Sequence, residues 1–563
     1  MEAGKRTIAE IFNRGRSLEI PFFQRGYVWE EENWQRFLDD MSNLKIITRD
    51  YFLGSLILKS QARNTAEPVG DCRIVVDGQQ RLTTLLLFIN VLTKIKHEPR
   101  LMRDTFYNYY DQFILKHNHN DAMVFNSIIE DQLTDQIRSD YAENLVLKCH
   151  DFFAAKQDII REIDFFDVLT KIYFVGIDLG ENEDEQQIFD TINSLGVSLT
   201  TAELLKNELY RRTDLDLFES TWKQVFEKDQ ETRQYWDKQV TSGRERRANI
   251  DLLLQAYLLI CTRAHDSYVR LEGLFYNYKR YLAEDCVDKQ EFVEIMTKYA
   301  EVYRQNINPS ILEEDIPSDS AMSRLNVLLL GLNTTTVIPY ILYLLMEAPT
   351  IIERDSMFRL LESYLVRRVI CKETTKNYNN LFASLIRKQI NSFEKLSATL
   401  YKAEDPTNRM PTDEVLQMGF RNSNLTNQQA RVVLYLIEKS IRNNRIASVS
   451  PLGLNRYTLE HVMPKKWQNN WGVVSDPLAK TLRDQKILKL GNLTLITSSL
   501  NSSIRDADWE TKKDKGLNKF GRGLMIFDDY LESPIWTEET IDGRTDWLFS
   551  QAKSIWKFNP LIQ

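Results

Sequence analysis

The chain has 563 residues, 43% hydrophobic and 11% aromatic, with 72 Lys and Arg against 80 Asp and Glu, a formal net charge of −8. That length exceeds what one hydrophobic core organises, so roughly two to four soluble domains are expected. The acidic balance excludes a generic nucleic-acid coat but not a local basic site, and five scattered cysteines (Cys72, Cys149, Cys261, Cys286, Cys371) with no CxxC pair exclude a disulfide framework or a cysteine zinc site.

The opening MEAGKRTIAEIF lacks the apolar run of a signal peptide, which points to a cytoplasmic location. The stretch IPFFQRGYVWEEENWQRFLDDM then supplies Gln24 and Arg25, with Tyr27 and Trp29 as rings able to stack on a base. YFLGSLILKS and CRIVVDG are short β-rich runs bounded by turn residues. In the second, a strand at Ile74–Val76 enters Asp77-Gly78, and QRLTTLLLFINVLTKI continues as a helix with a nearly unbroken apolar face. Gly78 permits a sharp turn. The amides at the start of the helix can receive phosphate, Arg81 in the first turn can neutralise an anion, and Asp77 can hold a cation or activate water. Read alone, Asp-Gly is a turn signal and the arginines are as readily structural. The HNHN run at 117–120 reads as a solvent-facing polar loop.

From about 100 to 440 the pattern is mainly helical, as in NIDLLLQAYLLICTRA, DSMFRLLESYLVRRVI and QQARVVLYLIEKSIRN. One strand is expected inside it, at Ile172–Asp178. Leu325–Met346 carries no charge and is long enough to span a bilayer. Its centre is NTTTVIP, so two buried helices with a break near Asn333–Pro339 are expected instead, and no membrane partner. RERRANI (Arg244–Ile250) and LVRRVICKETTKNYNN (Leu365–Asn380) read as solvated helix ends rather than DNA contacts. No Walker-type phosphate loop occurs and no 20–50-residue period repeats.

Near Ala447 the character changes. Residues 451–520 hold 12 Lys and Arg against 7 Asp and Glu, a local balance of +5 in an acidic chain; such a basic segment is a candidate nucleic-acid site. RYTLEHVMP carries a short strand, ILKLGNLTLIT a second strand around a Gly-Asn turn, and DADWETKKDKGLNKF a helix. Glu460, His461, Asn492 and Asn501 fall along this strand–loop–strand–helix order. Histidine suits a general base, being mostly neutral at physiological pH. A carboxylate and an amide oxygen suit Mg, a hard cation.

LEHVMP followed by LGNLTLITSSLNSSIRDADWETKK resembles the HNH, or ββα-metal, nuclease domain at the C-terminus of GmrSD-type modification-dependent restriction enzymes. The resemblance implies His461 as general base, Asn492 as the residue orienting it, and Glu460 with Asn501 as ligands of Mg or another divalent cation such as Mn. Trp509 is assigned to core packing, and Lys465, Lys466, Lys512 and Lys513 are candidate phosphate contacts. At the other end, PFFQRGYVW, FLGSLIL and VVDGQQRLTTL are similar to the ParB-like nucleotidase domain that forms the GmrS half of the same enzymes, and IFDTINSLGVSLTTAELLKN (Ile188–Asn207) matches a segment that follows there. This implies NTP binding and hydrolysis, with Gln24, Arg25, Asp77, Gln80 and Arg81 as the nucleotide site. Asn193 and Gly196 match a motif without an assigned role; an asparagine there can simply cap the helix that begins near Thr200.

The expected fold class is therefore α+β and multidomain: a ParB-like α/β domain over 1–120 (the resemblance extends to about 210), a mainly helical middle over 121–445, and an HNH-type nuclease domain over 446–563. The implied function is an NTP-regulated, Mg-dependent DNA endonuclease of phage defence. It would cut or nick DNA according to its modification state, with glucosylated cytosine favoured. Two alternatives remain: a nucleotide-dependent DNA-binding or assembly factor without cleavage, and a nuclease responding to phosphorothioated DNA. The expected partners are DNA and an NTP, with a homodimer left open.

Overall fold

The structure is a computed structural model. It describes residues 2–21, 26–45, 51–61, 71–180, 200–210, 212–243, 245–265, 273–284, 287–314, 319–403, 405–444, 453–472, 474–517 and 524–558. The chain divides into two compact units, Met1–Phe218 and Glu219–Gln563. The fold is mixed α/β and mostly helical, with one mixed sheet and two small two-stranded sheets among the described residues.

The first unit is built on six strands: β1 (Glu2–Thr7), β2 (Arg16–Glu19), β3 (Tyr51–Ser60), β4 (Asp71–Asp77), β5 (Leu115–Lys116) and β6 (Ile172–Leu179), in the order β1-β6-β3-β4-β2-β5. β3 runs parallel to β6 and antiparallel to β4. Helix α1 (Gln79–Ile95) follows β4 directly and is buried continuously from Leu82 to Thr93. A helix apolar on every side must be covered on every side. Strand residues Leu56, Leu58 and Val75 join its leucines in one core. Helix α2 (Leu145–Ala155) adds Phe153, whose ring meets Phe88 edge-on with centroids 5.5 Å apart. The strand–Gly–helix order expected at 74–95 is present. Gly78 is required twice over: its φ is +101°, and a Cβ there would lie 2.8 Å from Leu56 Cδ1.

The 117–120 run departs from the expected solvated loop. His117 and Asn118 are buried. His117 Nδ1 accepts from the Asn118 amide at 3.2 Å, so Nε2 carries the proton and faces Thr83 Oγ1 at 2.9 Å. Thr83 in turn donates to Gln79 O at 2.8 Å, which leaves its oxygen free to accept. Burial holds His117 neutral, with its pKa lowered to about 4.

In the second unit, hairpin strands β7 (Gln239–Ser242) and β8 (Glu245–Ala248) lead into α3 (Asn249–Cys261). Helices α4 (Ala321–Gly331) and α5 (Ile338–Glu347) are the two buried segments expected around the uncharged stretch, with Asn333 at φ +55° between them. Pro339 stands in the first turn of α5, where its missing N–H costs nothing. Among the described residues no helix is long and apolar enough to cross a membrane.

Helices α6 (Ile351–Ile370), α7 (Tyr378–Arg387) and α8 (Asn427–Asn444) complete the helical body. Here the basic patch expected at Leu365–Asn380 is corrected in part. Arg367 and Arg368 are fully buried. Arg367 donates to Trp556 O at 2.7 Å, Pro411 O at 3.0 Å and Asp413 Oδ1 at 2.6 Å, and Arg368 to Thr374 O at 2.6 Å. On α4, Arg324 forms a two-toothed pair with Glu362 of α6, and the Trp556 indole donates to the same carboxylate at 2.7 Å. Buried charges need hydrogen-bonding partners, and these guanidiniums have them; Arg324 and Arg367 also face carboxylates, and Arg367 ties α6 to Trp556.

Candidate active site

Strand β9 (Tyr457–His461) pairs antiparallel with β10 (Leu493–Thr497), Leu493 opposite His461 and Thr494 opposite Glu460. Helix α9 (Ser498–Ile504) follows β10 without a break, so the segment is a β-β-α unit. The Gly-Asn pair does not interrupt a longer strand as expected; it closes a short 3-10 turn, Leu490–Asn492, immediately before β10. Helix α10 (Glu538–Ile555) presses on this turn. A Cβ on Gly491 would come within 2.2 Å of both Ile541 O and Thr545 Oγ1. The buried Arg544 of α10 donates to Gly491 O and Leu493 O, both at 2.8 Å, and lies 4.8 Å from the centroid of the Phe527 ring. With no carboxylate paired to it among the described residues, burial pulls its pKa down to about 9.

Asn501 reaches from α9 back to β9. Its Nδ2 donates to Thr458 Oγ1 at 3.1 Å and to Leu459 O at 3.4 Å, and its Oδ1 accepts nothing from the described residues. Thr458 and Glu460 are two apart on a strand and so share a face; Asn501 is therefore braced on the face that carries the Glu460 carboxylate. His461 closes β9, half-buried. Desolvation, then the nearby Lys465 and Lys512 ammoniums, lower its pKa to about 4, so the imidazole is neutral at physiological pH. No described residue hydrogen-bonds to its ring.

Glu460 is buried, and its partner is Lys512, whose ammonium contacts the carboxylate and also donates to His461 O at 2.8 Å. Burial raises the Glu460 pKa despite this cation, and lowers that of Lys512. Lys512, fully buried in this pair, is not placed to touch a phosphate, contrary to its assignment from sequence. Lys513 donates to Ser533 O at 3.4 Å, whereas Lys465 and Lys466 are exposed, Lys465 near enough to His461 to act on its charge. Trp509 packs in the core against Trp536, ring centroids 5.2 Å apart, as expected.

Asn492 has a different task from the one the resemblance implied. Its side chain is fully buried. Oδ1 accepts from the Met463 amide at 2.8 Å and the Trp536 indole at 3.0 Å. Nδ2 donates to Met463 O at 2.8 Å and Ile487 O at 2.9 Å. All of this amide's capacity goes to the Met463 backbone, the Ile487 carbonyl and the Trp536 indole, and none to the imidazole. Asn492 thus holds the backbone two residues after His461. Nothing in the sequence flags Thr458, Trp536 or Arg544, which complete that support, because each acts across more than thirty residues of chain.

The oxygen donors suit a hard divalent ion: one carboxylate and one free carboxamide oxygen, with water completing the shell, is the kind of sparse set Mg uses. Among the described residues no three His, Cys, Asp or Glu side chains gather into a ready-made cage. The Lys512 ammonium marks where the Glu460 carboxylate already stabilises positive charge.

In the first unit, Asp77, Gln80 and Arg81 cluster at the β4–α1 turn. Arg81 donates to Asp77 Oδ2 at 3.0 Å and Ser55 O at 2.8 Å, and Ser55 Oγ donates to the same carboxylate oxygen at 3.0 Å. Gly54 makes room: a Cβ there would lie 2.9 Å from Arg81 Cδ. Gln80 accepts from the Val28 amide at 2.9 Å and donates to Gly26 O at 3.4 Å, so it anchors the 26–28 segment. Tyr27 is buried rather than free to stack, its hydroxyl accepting from the Trp34 indole at 2.9 Å. Gln24, Arg25, Asn193 and Gly196 lie outside the described residues.

Family models fit both ends of the chain: the N-terminal domain of the GmrSD restriction endonuclease over residues 8–210, and the C-terminal domain of the GmrSD restriction endonucleases over residues 409–551. These matches define the class, a restriction endonuclease, hence a hydrolase acting on DNA. Together they cover more than half of the sequence, and the chain belongs to the GmrSD restriction endonuclease family. Comparison with curated proteins gave no significant match.

Proposed function

We propose that this chain is an NTP-regulated, Mg-dependent endonuclease of phage defence, that the β9–β10–α9 unit is an HNH-type cutting site, and that the first unit is a ParB-like nucleotidase. The carrying observation is His461: a neutral, half-exposed imidazole at the end of a strand that Asn501 braces, with the exposed Lys465 close by. In this reading His461 accepts a proton from water. The water oxygen bonds to phosphorus, and the P–O bond to the leaving oxygen breaks. Glu460 and Asn501 Oδ1 would hold the divalent cation, which when bound supplies charge neutralisation at the scissile phosphate. Asn492, Trp536 and Arg544 keep the strand ends in register. Asp77 and Arg81, with Gln24 and Arg25, would bind the NTP, and Gln80 would hold the segment that follows Arg25.

Glucosylated cytosine is the proposed target mark. The test is a cleavage panel of unmodified, glucosylated and phosphorothioated plasmid, each with Mg or chelator and with or without NTP. Wild type should cut glucosylated DNA in Mg, and His461→Ala should lose roughly 10²–10⁴ of the rate. Undiminished cutting by the folded variant would remove His461 from the chemistry. The engagement of Glu460 by Lys512 favours a second reading, a nucleotide-dependent DNA-binding factor that does not cut; wild type that binds but leaves every substrate intact would establish it.

A further inference from the structure

In the helical body of the second unit, a cavity of about 440 Å³ opens where the β7–β8 hairpin, α3, the turn before α5 and the start of α7 meet. That volume falls within the range of small-molecule sites, about 300–1,000 Å³. It is where the two basic or polar stretches of the sequence that the cutting site leaves unused, Arg244–Ile250 and Leu365–Asn380, come together: Glu245 and Arg247 line it from the first, Lys376, Asn379 and Asn380 from the second. Thr335 Oγ1 donates to Ser242 Oγ at 2.7 Å and ties the hairpin to the turn, so the walls are joined.

The lining is chemically uneven. Gln255, Thr336, Lys376 and Asn379 all line the cavity, and none makes a side-chain hydrogen bond or ion pair to a described residue. Lys376 and Asn379 are exposed and Gln255 and Thr336 half-exposed, so all four are open to a ligand arriving from solvent. Leu259, Pro339 and Phe382 close the floor of the cavity, and all three are buried. Arg247 is restrained by Glu245, but Lys376 is exposed and has no acidic partner among the described residues, so the cavity presents a net attraction for an anion. Amides and a hydroxyl suit a ligand rich in hydroxyls, and the ammonium suits a phosphate.

We propose that this cavity binds a phosphorylated sugar unit of mononucleotide size, with its phosphate on Lys376 and its hydroxyls on Gln255, Thr336 and Asn379. The unit comes either from a free nucleotide or from a nucleotide extruded from DNA, a manoeuvre that enzymes working on bases use to bring a base out of the stack. The DNA source rests on the reading of the chain as a DNA-cutting enzyme, so binding is measured apart from cleavage.

The test uses the full chain carrying His461→Ala, which removes cutting without touching the cavity. CMP binding is followed by calorimetry, and binding of labelled duplexes, unmodified and glucosylated, by anisotropy. Each is compared before and after adding Lys376→Glu with Asn379→Ala, with Gln255→Ala as a milder variant and Asp77→Ala as a control for nucleotide bound in the first unit. A loss of about tenfold or more with CMP assigns the free nucleotide, and the same loss confined to a duplex assigns the extruded one. Gln255→Ala should shift the same ligand in the same direction, which separates a lost contact from a misfolded double variant. Binding of CMP and of both duplexes within twofold of the parent in all cavity variants overturns the proposal and leaves the cleavage reading standing.

Discussion

The ammonium of Lys512 rests on the buried Glu460 carboxylate and donates to the carbonyl oxygen of His461, 2.8 Å away. A lysine from beyond α9 thus supplies the positive charge that the end of β9 needs. Removing one member of a buried ion pair leaves the other uncompensated and costs about 3–5 kcal/mol. Lys512→Met should therefore unfold at lower urea than wild type in chelator. Millimolar Mg should recover part of the loss, because a divalent ion bound at Glu460 replaces the missing charge. Melting of the variant indistinguishable from wild type in chelator would contradict this account.

His461 and Asn492 should separate cleanly into chemistry and support. His461 makes no side-chain hydrogen bond to a described residue, so His461→Ala should leave urea stability within roughly 1 kcal/mol of wild type while cutting is lost. Asn492→Ala strands the Met463 amide and carbonyl, the Ile487 carbonyl and the Trp536 indole. Unsatisfied buried groups cost about 1–3 kcal/mol each, so a loss of about 3 kcal/mol or more is expected. Asn492→Ala as stable as wild type, yet inactive, would instead restore a direct role beside the imidazole.

His117 gives the first unit a pH dependence with a definite sign. Its folded pKa, about 4, lies below the ordinary value of 6.5 because burial outweighs the attraction of nearby Asp121. The unfolded chain therefore binds the extra proton first. The neutral-state stability is complete above about pH 6.5 and falls away as pH drops toward 4, by on the order of 3 kcal/mol. His117→Gln cannot take up that proton. The difference in unfolding free energy between wild type and variant should narrow between pH 7 and pH 4.5; a difference that is flat with pH would show that His117 does not titrate this way.

Local pattern carried much of the fold. The β4–Gly78–α1 passage, the break between α4 and α5, β6 and the β-β-α order near the C-terminus all follow from periodicity and turn residues, which report on neighbours in sequence. What the sequence hid is long-range pairing. Arg367 looked like part of a basic surface because nothing local says that Trp556, Pro411 and Asp413 will surround it. Lys512 looked like a phosphate contact because its partner is 52 residues upstream. His117 looked solvated because its neighbours in sequence are polar, while its neighbours in space are Thr83 and Phe125. At the proposed cutting site, the buried partners that Asn492 takes instead of the imidazole were not legible.

Two glycines near the site should respond to alanine with opposite signs. Gly491 lies under α10, and a Cβ there would meet Ile541 O and Thr545 Oγ1 at 2.2 Å and Thr545 N at 2.9 Å. Two of those atoms are backbone, so helix and turn must separate, and the Arg544 bonds that lock the turn before β10 loosen with them. Gly491→Ala should cost about 3 kcal/mol or more and reduce cutting, since Asn492 is the next residue. Gly543, within α10 itself, meets nothing within 4 Å. There alanine only removes backbone freedom from the unfolded chain and improves helix propensity, so Gly543→Ala should stabilise by roughly 0.5–1 kcal/mol and leave cutting intact. Parallel urea titrations of the two variants decide the matter: if Gly491→Ala is tolerated as well as Gly543→Ala, α10 does not press on the turn and does not fix the strand that opposes His461.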